Sequence, residues 1–140
     1  MMIHLSIPIA EIENTLFFYQ ELLGCKATKI ADDRIDFDFF DNHLVAQLST
    51  EEAAHESVYI GTLPNRYPLR HFGVIVQQST YAAILERLIS HQAHFAMPPQ
   101  KIFVGTPREQ NVFLVFEYLY RGKKSTALSG SMFASVISLR

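Results

Sequence analysis

Apolar and polar positions alternate over residues 2–9, with Ile3, Leu5, Ile7 and Ile9 on one face and His4, Ser6 and Pro8 on the other. This is the period-two pattern of a half-buried strand. Pro8 brings no backbone N–H to a ladder, which places the strand at or near a sheet edge. From Glu11 the spacing changes to steps of four and three (Ile12, Leu16, Tyr19, Leu23), with acidic residues in the first turn and Gly24 where a helix stops. Three strands are predicted next, over 25–30, 34–40 and 43–49, parted by the turn residues Asp32-Asp33 and Asp41-Asn42. The first part of the chain therefore reads β-α-β-β-β.

A polar stretch follows, over about residues 51–69, with Glu51-Glu52, Pro64-Asn65 and Pro68, and reads as a linker. Then the order restarts. His71-Phe-Gly-Val-Ile-Val echoes His4-Leu-Ser-Ile-Pro-Ile, and Tyr81, Ile84, Leu85, Leu88 and Ile89 mark a second amphipathic helix. Strands are expected over 95–104, interrupted by Pro98-Pro99, and over 111–120. Module one thus covers about 1–50 and module two about 70–128. Beyond Gly122 the periodicity fades into an irregular tail to Arg140, for which a last strand and a loosely ordered end are both open.

A chain of 140 residues, 49% hydrophobic, suffices for one domain with a real core and not for two independent ones. The expected class is α+β, two βαβββ modules in a single domain. A net charge of −2 and a pI near 6.3 provide no basic stripe for a phosphate backbone, so nucleic acid is not an expected partner. No run of about 18 apolar residues is present to span a membrane, and no basic segment leads into an apolar export signal, so a cytoplasmic location is expected. Cys25 is the only cysteine; it forms no internal disulfide and reads as a small packing residue.

Several segments together resemble the vicinal oxygen chelate superfamily, which includes glyoxalase I, extradiol dioxygenases, and fosfomycin- and bleomycin-resistance proteins. They are His4-Leu-Ser-Ile-Pro-Ile, the helix end Phe17-Phe-Tyr-Gln-Glu-Leu-Leu-Gly-Cys25, Asp36-Phe-Asp-Phe-Phe with His43-Leu-Val-Ala-Gln47, Pro68-Leu-Arg-His-Phe-Gly-Val-Ile75, and Gly105-Thr-Pro-Arg-Glu-Gln110. Each is short, and the resemblance lies in their order over roughly residues 2–116. It implies a cupped mixed sheet with helices outside, built around a divalent metal, and an activity of glyoxalase or dioxygenase type on a small oxygen-rich substrate. A metal-free ligand-binding protein of the resistance type and a catalytically degenerate paralogue are the alternatives, since one fold hosts many functions. A homodimer is also implied, with edge strands and the apolar segment 132–139 either as candidate surface or paired within the monomer.

Carried onto this chain, the resemblance selects His4 and His71 as metal ligands. Strand parity puts His4 opposite the apolar face of its strand and His71 on a face with Gly73 and Ile75, so that both can point into the cup. Two imidazoles and a carboxylate leave positions open for substrate oxygens and suit Fe, Mn, Ni, Co or Zn. For the carboxylate, relatives close with a segment like Asp-Pro-x-Gly-Asn-x-Leu-Glu, whereas this chain reads Glu117-Tyr-Leu-Tyr-Arg-Gly-Lys-Lys124. An ungapped alignment puts Lys124 at the ligand position, and an ammonium has no lone pair to offer. Glu117 is the candidate replacement, with a turn-opening or strand-face charge as its other reading. Gln47, His43, Phe39 and Phe113 are candidate pocket residues. His43 either joins His4 and His71 or caps the Asp41-Asn42 turn, with the turn role preferred, and for the phenylalanines core packing is the preferred reading.

Overall fold

The computed structural model describes residues 1–62, 66–116 and 133–139. These form two compact units, residues 1–56 and residues 57–116 with 133–139. Glu117, the candidate carboxylate, lies outside the described residues.

In the first unit β1 (His4–Ile9) runs into α1 (Ile12–Leu16), which continues as a π-helical turn over Phe17–Leu22. The Leu23 N–H accordingly donates to the Phe18 carbonyl, five residues back, at 3.0 Å. The wider turn lets the adjacent pairs Phe18-Tyr19 and Leu22-Leu23 all be buried, where the four-and-three spacing assigns only Tyr19 and Leu23 of these to the core. Gly24, at φ 78°, ends the helix in the left-handed conformation that glycine adopts without strain.

The strands β2 (Lys26–Ile30), β3 (Arg34–Phe39) and β4 (Asn42–Leu48) complete a mixed sheet in the order β1-β4-β3-β2. Among the described residues β1 is an edge strand, a position that tolerates Pro8. The β3–β4 turn is Phe40-Asp41, at φ 51° and 65°, one residue earlier than the sequence places it. Two positive φ values are what a two-residue hairpin loop of this twist requires. Asn42 then works as an anchor: its Nδ2 donates to the Phe39 and Phe40 carbonyls and its Oδ1 accepts the Ile3 N–H at 3.0 Å. Ile7, Ile9, Ile35, Phe37, Leu44 and Ala46 are buried on one sheet face. Tyr19 stacks on Phe37 with ring centroids 4.8 Å apart.

The segment read as a linker holds α2 (Thr50–Ala53) and a small ladder of β5 (Tyr59–Ile60) with β6 (Tyr67–Pro68). The second unit is built from β7 (His71–Val76), α3 (Gln78–Ser90), β8 (Phe95–Ile102), β9 (Gln110–Phe116) and β10 (Phe133–Leu139), in the sheet order β7-β10-β9-β8. Strand for strand this repeats the first unit. Of the two alternatives for the chain end, the strand is the one seen, and it is interior, parallel to β7 and antiparallel to β9. Residues 133–139 therefore have both backbone edges paired within the chain, the second of the two places left open for them by the sequence. The Pro98-Pro99 interruption appears as a register shift between Met97 and Gln100. The Gly105–Gln110 motif closes a turn, with buried Glu109 accepting the Gly105 N–H at 3.0 Å and facing Lys101 at 3.6 Å.

Tyr81 of α3 packs on β9, with the Tyr81 and Phe113 rings 5.1 Å apart, and Ile84 is fully buried. Burial raises the Tyr81 phenol above its ordinary value by desolvating the phenolate. The neutral form is thus favoured in the fold, and its contribution to stability is complete below about pH 10 and lost as pH rises through the ionisation of the native phenol. Urea unfolding at about pH 9–11 is expected to show a steeper loss of stability in the wild type than in Tyr81→Phe.

Candidate metal-binding histidines

His4 and His71 occupy equivalent places, the first residue of the edge strand in each sheet. Both lie on the sheet face opposite the helices, as their strand parity predicts, and both are exposed. Their neighbours within each unit decide what they can do.

His71 Nδ1 lies 2.7 Å from the Pro68 carbonyl oxygen. A carbonyl only accepts, so Nδ1 carries the proton and donates. The tautomer is thereby fixed and Nε2 keeps its lone pair, the state in which an imidazole ligates a cation. Tyr67 stands edge-on against the ring at 5.7 Å and also packs against the cluster of Met97, Val112 and Leu114. The sheet face next to His71 is therefore apolar. The β10 and β9 residues in register with His71 are Phe133 and Phe116, so the row of His71 in β9 is held by Phe116, the residue before Glu117.

His4 has a polar neighbourhood. Its backbone register partner is His43, and the two Nδ1 atoms are 2.8 Å apart, with ring centroids at 4.7 Å. His43 Nε2 in turn faces Asp36 Oδ2 at 3.5 Å, and Arg34 Nε lies 3.5 Å from Asp36 Oδ1. Of the two readings of His43, the preferred turn cap is not the one seen, and the ring stands beside His4. The turn is capped by Asn42 and Asp38, whose carboxylate accepts the Asp41 N–H, and that frees the imidazole to join His4. Gln47 sits further along the same face and donates to Ser6 Oγ at 2.6 Å.

Phe39 and Phe113 are core residues, 5% and 0% exposed. Phe39 packs on Tyr19 and Phe40, and Phe113 on Tyr81 and Phe95. Neither faces the side of the sheet that carries the histidines, because both alternate with residues of that face. Asp36 was not singled out from the sequence. Its signal is the alternation Arg34, Asp36, Asp38 against Ile35, Phe37, Phe39, which lines one face of β3 with charge.

Both histidines suit a divalent cation in donor type, and His71 also in its fixed tautomer. Among the described residues, no three or more His, Cys, Asp or Glu side chains form a group that could hold a metal ion. No described helix is long and apolar enough to cross a membrane.

The fold has solved relatives. A glyoxalase/bleomycin resistance protein/dioxygenase from Alicyclobacillus acidocaldarius is 22% identical, with a TM-score of 0.70 over 99% of this chain and 90% of the other. FosX, a fosfomycin resistance protein from Mesorhizobium loti, is 11% identical, with a TM-score of 0.63 over 99% and 92%. FosX from Listeria monocytogenes, solved in complex with Mn(II) and sulfate ion, is 9% identical, with a TM-score of 0.65 over 99% and 90%. At these identities the likeness is one of fold. Comparison with curated proteins gives no match. The family model of the Glyoxalase/Bleomycin resistance protein/Dioxygenase superfamily matches residues 2–108, three-quarters of the chain and both histidine-bearing strands, and the protein belongs to that superfamily.

Proposed function

We propose that the chain is a divalent-metal-dependent enzyme of glyoxalase or dioxygenase type acting on a small oxygen-rich substrate, with His4 and His71 as imidazole ligands. The observation that carries this reading is His71 itself, whose Nδ1–H is tied to the Pro68 carbonyl at 2.7 Å so that Nε2 is left as an acceptor. Metal-ligating histidines are characteristically held in this way. Membership of the superfamily supports the reading, as does the Mn(II) bound by the Listeria FosX of the same fold. Glu117 is the carboxylate proposed from the sequence. A divalent cation supplies Lewis-acid polarisation of substrate oxygens and leaves coordination positions open to them. The chain's own contribution is orientation, with an apolar surface beside His71 and hydrogen-bonding side chains beside His4.

Elemental analysis after supplementation with Fe(II), Mn(II), Ni(II), Co(II) or Zn(II) tests the reading. About one equivalent per chain is expected in the wild type, and less in His4→Ala and His71→Ala. Absence of stoichiometric metal from the supplemented wild type would overturn it in favour of a metal-free binding protein. Oxygen consumption with catechols, set against turnover of a glutathione–methylglyoxal hemithioacetal, separates dioxygenase from isomerase.

A further inference from the structure

We infer that His43 and Asp36 form a positioning pair that fixes the tautomer of His4, leaving His4 Nε2 as the lone pair turned outward. The inference deepens the metal-ligand reading and rests on it for its consequence, although the proton placement stands on the geometry alone.

Two ring nitrogens 2.8 Å apart share one proton, so one donates and the other accepts. The direction is set at the far side of His43. Its Nε2 faces Asp36 Oδ2 at 3.5 Å, and a carboxylate offers only acceptors. Asp36 is 15% exposed, and its buried Oδ1 faces Arg34 Nε at 3.5 Å, which leaves Oδ2 as the oxygen turned to His43. This poorly solvated acceptor draws the single proton of a neutral His43 to Nε2. His43 Nδ1 is then the acceptor, and His4 Nδ1 must be the donor. Having spent its proton there, His4 keeps a lone pair on Nε2, for which no described residue supplies a partner. The order is Asp36, His43, His4, and then the ligand position.

The second unit reaches the same state in one step, where the Pro68 carbonyl holds the Nδ1–H of His71. In the first unit the residue in that row of β4 is His43, and an imidazole accepts reliably only if its own tautomer is set. Asp36 sets it. The sheet register supports the arrangement, because Asp36 pairs with Val45 and His43 with Asp38 and His4, putting all three side chains on one face within two rows.

The test is long-range proton–nitrogen correlation NMR on the metal-free, 15N-labelled full chain, with His4 assigned by its loss in His4→Gln. The expected result is a protonated Nδ1 and bare Nε2 on His4, and a protonated Nε2 on His43. His43→Ala should release His4 into a mixture of tautomers and weaken Mn(II) binding by about 10–100-fold, the usual effect of losing an outer partner of a ligating histidine. His43→Gln, whose amide oxygen still accepts, should recover most of that loss. Asp36→Asn should shift the tautomer in the same direction as His43→Ala, and it provides the test if that variant does not fold. A protonated Nε2 on wild-type His4, or an unchanged tautomer in His43→Ala and in Asp36→Asn, overturns the inference. The two readings fail separately. Wild type that binds no Mn(II) but shows the expected tautomers loses only the metal reading, and Mn(II) affinity indifferent to His43 loses only the positioning role.

Discussion

His71→Ala is expected to weaken Mn(II) binding by more than about 100-fold, beyond the range usual for an outer-shell partner, with little change in stability. His71 is exposed at the first position of an edge strand, where a substitution usually alters stability by no more than about 0.5 kcal/mol. The hydrogen bond of its ring to the Pro68 carbonyl orients the imidazole without closing any part of the core. The control is His55→Ala. His55 pairs with Glu52 at 3.5 Å on the surface and should have no effect on metal binding. Titration calorimetry with Mn(II) and urea unfolding of the same samples give both quantities. A His71→Ala protein that keeps wild-type affinity would reduce His71 to a strand-end hydrogen bond and remove the support for the metal reading in the second unit.

Much of this arrangement is legible in the sequence because the repeat is written at the level of alternation. The echo of His4-Leu-Ser in His71-Phe-Gly is enough to place the two histidines at equivalent strand starts, and period-two patterning is enough to put them on the face away from the helices. What alternation does not carry is which residue of the neighbouring strand stands opposite. That depends on turn geometry. With the turn at Asp41-Asn42, His43 would pair with Phe40; with the observed Phe40-Asp41 turn it pairs with Asp38, and the charged row Asp36–Asp38 comes alongside the histidines. Faces survive such a shift of one turn position and partners do not. Phe40 at a positive φ is also an unusual choice, so the sequence points to the Asp-Asn dipeptide instead. The same limit applies to the aromatics. Phe39 and Phe113 stay open between pocket and core, with core the preferred reading, until the sheet face of each is known. The closing strand Phe133–Leu139 follows a stretch without clear period, so its place between β7 and β9 comes from pairing and not from pattern.

Phe37→Ala is expected to be the most destabilising single change in the first unit, by about 3–5 kcal/mol. That is a large share of the roughly 5–15 kcal/mol by which a domain is stable. Phe37 is fully buried and stacks on Tyr19, itself fully buried in the π-helical turn. Truncation to a methyl group leaves a void between two rigid elements, the helix and β3, that cannot close without breaking the sheet register around it. Phe37→Leu should cost less than half as much, because most of the volume is kept. Urea unfolding measures both, and a loss under about 1 kcal/mol in Phe37→Ala would mean that the helix does not rest on β3 as described. Phe37 and Asp36 are adjacent and point to opposite faces of that strand. Phe37→Ala should therefore act mainly on stability, whereas Asp36→Asn should act mainly on the tautomer of His4. One strand bearing both, with separable effects, is what a sheet with a packed face and a chemical face requires.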